Sequence, residues 1–259
     1  LFRVVISTLL FAVTLLFMRQ PLFGVAPLED YLVLMASGVM AIAISDTLFH
    51  LALNRVGAGV NAIVNALYSP FIVLFAFLLL GEKPDVLKLG GMVLIVSGVI
   101  LTAQSRPPEG MSRSSLVVGI LYGVAAMATL ALGIVFAKPV LERTDIIWAT
   151  AVRQVGALAV LAPVALVLPR RRQRLSVFLP RPSWRYTLPG TFLGSYLALI
   201  LWIGGMKLTE AGTAAILNQT STVYILILAS IFLGESFTRR KVLAGGLAVA
   251  GVLLVLQPF

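Results

Sequence analysis

Asp46 and His50 stand four residues apart in the run SDTLFHLALN, so any helix containing them carries both on one face. A carboxyl beside an imidazole is proton-handling chemistry. Asp46 can exchange a proton or meet a cationic solute group, and His50 can relay that proton or pair with the acid. The plainer reading is a structural hydrogen bond near the membrane surface, because the helix ends close by at Arg55. A second set is uncharged: Asn61, Asn65, Tyr68 and Ser69 recur every three or four residues, and Asn218, Gln219, Thr222 and Tyr224 follow at the corresponding depth of a later segment. Amides and hydroxyls in lipid either line a solute path or bond helix to helix for ~0.6 kcal/mol each. Arg153, with Gln154 beside it, is the third candidate. A guanidinium pointing inward can hold a carboxylate through two parallel hydrogen bonds, whereas one near a helix start can instead snorkel to the interface, as Arg3 can at the matching position.

Little else in the chain could do chemistry. There is no Cys and one His, which excludes thiolate and His-rich metal centres, and no cofactor is expected. No H-E-x-x-H, G-x-S-x-G or G-x-x-x-x-G-K run occurs. Glu82 and Glu235 close their helices and read as terminal charges.

The elements that must position these residues are membrane helices. The 259 residues are 59% hydrophobic and only 12% charged, with a mean hydropathy of +1.03, against roughly 45–50% and 25% in soluble domains. Runs long enough to span a bilayer lie near 3–18, 30–52, 57–81, 87–104, 115–137, 146–168, 186–206, 211–234 and 241–258. They are too long and too continuously apolar for barrel strands. Pro70 and Pro163 fall inside two of these runs and predict kinks. Trp148, Trp184 and Tyr186 near helix ends read as interfacial anchors. The spacings Gly119-x-x-x-Gly123 and Gly190-x-x-x-Gly194 read as close helix packing.

The chain also repeats. Residues 58–104 return without a gap as 211–257, keeping Ala58/Ala211, Gly59/Gly212, Asn65/Asn218, Gly81/Gly234, Glu82/Glu235, Lys88/Lys241, Gly98/Gly251 and Gln104/Gln257 in one register. Duplicated apolar halves are a mark of secondary transporters. An odd number of helices separates the two copies, so the second is expected to be inverted. The fold expected is therefore an all-α polytopic transmembrane helix bundle of about nine helices in two inverted-topology repeats, four plus five, with 1–105 as the first and 114–259 as the second. Helix five has no counterpart in the first half. That predicts a first repeat short of one helix at its N-terminal end.

Phe2-Arg3 opening a helix, then SDTLFHLALNRVGAG, NALYSPFIVLFAFLLLGEKP and GGMVLIVSGVILTAQ, resembles the EamA-like family of the drug/metabolite transporter superfamily. AGTAAILNQTSTVYILILASIFLGES and GGLAVAGVLLVLQ are similar to it in the second half. The resemblance implies two inverted five-helix repeats around a shared cavity. It also implies export or uptake of a small metabolite. The chain departs from that pattern in the missing first helix and in Val223 standing where the first half has Pro70.

The function expected is secondary transport of a small metabolite, such as an amino acid, a nucleotide-sugar-like or a drug-like compound. The mechanism expected is alternating access, with proton coupling left open. The substrate-binding candidates are Asn65, Tyr68, Asn218, Thr222 and Arg153, and the coupling candidates are Asp46 and His50. The rivals are a non-transporting membrane scaffold and a membrane-embedded enzyme. The partners expected are the solute, the lipid of a plasma or bacterial inner membrane, and a second copy of the chain. Nucleic acid is not among them despite the net charge of +10, because six of the basic residues sit in the one connector between Arg170 and Arg185. That connector and the other basic loops place thirteen Lys and Arg on one side of the membrane and seven on the other. The positive-inside rule then puts the connector in the cytoplasm and Phe259 outside. The family resemblance, with both termini cytoplasmic, implies the reverse.

Overall fold

The computed structural model describes residues 1–81, 83–103, 112–169, 175–208, 221, 224–225, 227–229, 231–232 and 238–255, and among these every regular element is helical. The elements are α1 (Phe2–Phe17), α2 (Leu28–Gly38), a π-helical stretch (Val39–Ile44), α3 (Ser45–Asn65), α4 (Tyr68–Leu80) and α5 (Val86–Ala103). Then follow α6 (Arg113–Arg143), α7 (Ile146–Val167), a 3-10 turn (Ser176–Phe178), α8 (Trp184–Thr191), a second π-helical stretch (Phe192–Leu197), α9 (Ala198–Leu208) and α10 (Arg239–Val255). The protein is a multi-pass membrane helix bundle. Large apolar side chains such as Leu16, Phe17, Val86 and Val167 stand on its surface, as a lipid-facing exterior requires.

Local chemistry explains where the helices turn. Gly57 interrupts α3 with φ 78° and ψ 175°, a backbone region open in practice to glycine alone, and so separates the second span from the third. Gly81, left-handed at φ 71°, caps α4 and donates its N–H to the Ala76 carbonyl. The third span is broken once more, at Ala66–Leu67, where the backbone tightens: the Ala66 and Leu67 N–H groups bond Ile63 and Val64, three residues back. Pro70 is the reason that turn cannot be regular. It has no N–H for the Ala66 carbonyl, which is satisfied by the Ser69 N–H at 3.3 Å. Pro139 does not end α6, which continues past the expected 137 to Arg143. The extra turns carry the Arg143 guanidinium to the Asp30 carboxylate, a pair that anchors the end of α6 to the start of α2.

The chain divides into two compact units: Leu1–Ala43 with Phe136–Leu208, and Ile44–Val135 with Thr209–Phe259. In the first, α7 packs on α1 and α2 around Phe11, Leu15, Leu34, Ala149 and Val152. Glycine makes that approach possible. A Cβ at Gly156 would lie 2.5 Å from the Met35 carbonyl oxygen, and one at Gly38 would overlap the carbonyl of Arg153. Asp145 caps α7 by accepting the N–H groups of Ile147 and Trp148 at 2.9 and 3.0 Å. Trp148 is a correction to the interfacial reading: it is buried edge-on against Tyr31, and both donate to the Leu22 carbonyl at 3.0 Å. Burial of so large a ring is tolerated because its N–H has a partner. Gly190 and Gly194 are a second correction, since no described atom lies within 4 Å of a Cβ built at either.

In the second unit α5 and α10 form the main packed pair. The other glycine pair behaves as expected. Gly119 of α6 meets Arg55 and Val56, and Gly123 meets Val64 and Ala52.

Candidate functional site

Asn61, Asn65 and Ser69 occupy successive turns across the break between α3 and α4, within the second unit. Asn61 and Ser69 are buried and Asn65 is half-buried. The side-chain oxygen of each is shielded from solvent, and none has a hydrogen-bond partner among the described residues. An orphaned buried polar group costs about 1–3 kcal/mol. Three on one stripe are therefore a standing instability, and native proteins keep few such groups without a use for them. Tyr68, the other sequence candidate here, is buried at the first residue of α4. Asn218 and Thr222 lie outside the described residues.

Asp46 and His50 do share a face of α3, on the other arm of its Gly57 kink. Their bond differs from the one expected. The His50 ring meets the main-chain carbonyl of Asp46 at 2.6 Å, which anchors the imidazole to its own helix and leaves the carboxyl to make other contacts. His50 is exposed and Asp46 half-buried.

Arg153 lies two turns inside α7, and it is 2% exposed. A side chain snorkelling to the interface would show its guanidinium. Gln154 is 1% exposed, and its Oε1 has no partner among the described residues. The guanidinium suits an acceptor-rich group such as a carboxylate, which the Gln154 amide can meet only by turning its NH2 toward it. Arg3, at the matching place in α1, is half-buried.

Two features escaped sequence reasoning. The π-helical stretches Val39–Ile44 and Phe192–Leu197 stand 153 residues apart, which is the offset of the repeated hairpins. Their side chains have nothing in common that would have flagged them, and π stretches occur mostly at functional places in helices. The second holds Ser195, buried and with no partner for its Oγ among the described residues, and Tyr196, whose hydroxyl meets that of Thr14 of α1 at 2.5 Å. The other feature is a reciprocal contact. A Cβ at Gly98 of α5 would lie 2.7 Å from the Ala244 carbonyl of α10, and one at Gly251 of α10 would lie 2.5 Å from the Gly91 carbonyl of α5. Gly251 is the repeat partner of Gly98, and Ala244 that of Gly91. Because the early residue of each helix meets the late residue of the other, the two run antiparallel.

The pattern of the EamA-like transporter family matches residues 1–104 and 117–257. The chain belongs to this family. Two relatives are described as uncharacterized transporters. The one from Methanothermobacter thermautotrophicus is 23% identical over 227 residues, which covers 88% of the chain and 65% of that protein's own length. The one from Archaeoglobus fulgidus is 24% identical over 234 residues, covering 90% of the chain and 79% of the relative. A solved crystal structure of a protein 18% identical in sequence superposes with a TM-score of 0.65 over 97% of the chain and 84% of its own, a likeness of fold.

Proposed function

We propose that this EamA-like chain carries a small polar solute across the membrane by alternating access, with residues 1–105 and 114–259 acting as inverted repeats. The observation that carries the reading is the reciprocal contact of Gly98 with Ala244 and Gly251 with Gly91. A pair that exchanges its partners under the repeat is related by a two-fold axis. With the helices antiparallel, that axis lies in the membrane plane, the arrangement on which alternating access depends. The matched π-helical stretches support the same symmetry. A carrier also accounts for the buried oxygens of Asn61, Asn65 and Ser69, which have no partner among the described residues. Arg153 and Gln154 hold a carboxylate of the solute, and Asp46 carries the coupled proton. The solute is a small metabolite bearing an acid group.

The test compares metabolites inside and outside cells with and without the full-length gene, then follows the compound found in vesicles holding the purified protein. Expected is a gradient-driven flux of one class of acid-bearing compound. Identical metabolite profiles together with no flux would remove the transport reading in favour of a scaffold.

A further inference from the structure

We propose that Asn61, Asn65 and Ser69 form a subsite for an uncharged hydrogen-bonding group of the transported solute, an amide or a hydroxyl. The proposal rests on the transport reading and adds a chemical class that the solute must include. Its basis is the run of three shielded oxygens on successive turns, none with a partner among the described residues, two of them on side chains more than nine-tenths buried.

The charge of the ligand follows from what surrounds the stripe. Between Arg55 and Glu82 the chain has no charged residue, and neither do the apolar stretches of the packed elements of this unit, Leu89–Ala103 of α5, Ser114–Val135 of α6 and Val242–Val255 of α10. Asp46, His50 and Arg55 are the exceptions on α3, and they sit on the far arm of the Gly57 kink. A charged group lodged against the stripe would lose its hydration with no opposite charge to replace it. A neutral one loses far less. Hydrogen-bond direction narrows the class further. With no partner among the described residues to fix either amide, Asn61 and Asn65 can each turn an oxygen or an NH2 group toward a ligand, and the Ser69 hydroxyl both donates and accepts. The stripe therefore complements groups that also do both, which among common solutes means amides and hydroxyls.

A structural role for the stripe makes the opposite prediction for stability. If the three residues glued helices together, replacing them would weaken the fold. If they wait for a ligand, apolar replacement removes an unmet demand, and stability holds or rises while function is lost.

Three measurements on the full chain test this. In nanodiscs, Asn65→Leu and Ser69→Ala should melt at the wild-type temperature or up to ~4 °C above it, and a clear drop for both would overturn the subsite in favour of glue. In the cysteine-free background, Ser69→Cys should react with the neutral reagent hydroxyethyl methanethiosulfonate, and faster than with its sulfonated or quaternary ammonium analogues. No reaction, or preference for a charged reagent, would overturn it. In cells, the metabolites whose distribution depends on the wild-type protein should carry an amide or hydroxyl and lose that dependence in Asn65→Leu. Dependence retained in the variant, or metabolites lacking both groups, would overturn the subsite. Wild-type cells with no such metabolites would remove the transport reading itself, leaving melting and labelling to decide whether the stripe is a neutral ligand pocket.

Discussion

Gly38 and Gly190 both sit in helices, yet the same substitution should act on them in opposite directions. Gly38→Ala pushes a methyl group into the Arg153 carbonyl and must separate α2 from α7, an overpacking that costs about 1–3 kcal/mol. Gly190→Ala meets no described atom within 4 Å and should be neutral or stabilising by up to ~1 kcal/mol from helix propensity. Thermal unfolding in detergent, followed by tryptophan emission, checks the pair. Asp145→Ala leaves the N–H groups of Ile147 and Trp148 without their cap, and should cost about 1 kcal/mol in the same assay. Arg153→Lys should fold but lose at least roughly tenfold in solute flux, because a lysine keeps the charge without the planar two-bond fork. Asp46→Asn should abolish the pH dependence of uptake while the protein remains folded. Uptake that still varies with pH would return Asp46 to a structural role. The types and spacing of these residues are legible in the chain. Burial is not: Arg153 snorkelling and Arg153 sealed inside the protein read alike, because the choice depends on α2 and α7 meeting at two glycines far apart in sequence.

At the scale of elements, α5 and α10 test the two-fold relation. Gly98→Val and Gly251→Val insert side chains against Ala244 and Gly91 respectively, so each should lower the melting temperature by a similar amount. The double variant should lose less than the two separate losses combined, because either change already parts the same two helices. Strictly additive losses would mean that the contacts are independent. The spans within the described residues were legible from hydropathy, the one expected at 211–234 lying largely outside them, and Pro70 marked one of the breaks. The π-helical stretches were not, since an extra residue in a turn is accommodated by tertiary packing and leaves no pattern in hydropathy. The run-on of α6 through Pro139 was missed for a related reason. Proline usually ends a helix in water, but in a bundle neighbouring groups can meet the freed carbonyl, and the pairing of Arg143 with Asp30 holds the added turns.

For the whole molecule, orientation remains the sharpest question that charge can address. Arg153 is buried, so it leaves the count of the less basic side, which strengthens the expectation that the connector around Ser176 faces the cytoplasm. Cysteine labelling from outside on Ser176→Cys and Pro258→Cys should then modify the second and spare the first. The opposite pattern would establish the orientation that the family resemblance implies. By itself the sequence determined the membrane environment, the helical class and the duplication, because each is written in composition or in a register of identical residues, and its motifs carried the family resemblance. Tertiary structure alone decided which glycines bring helices together, that Arg153 and Gln154 are sealed from the surface, and that the oxygens of Asn61, Asn65 and Ser69 have no partner among the described residues. Whether a polar group is satisfied depends on atoms brought close by folding, and such neighbours leave no mark in the order of residues.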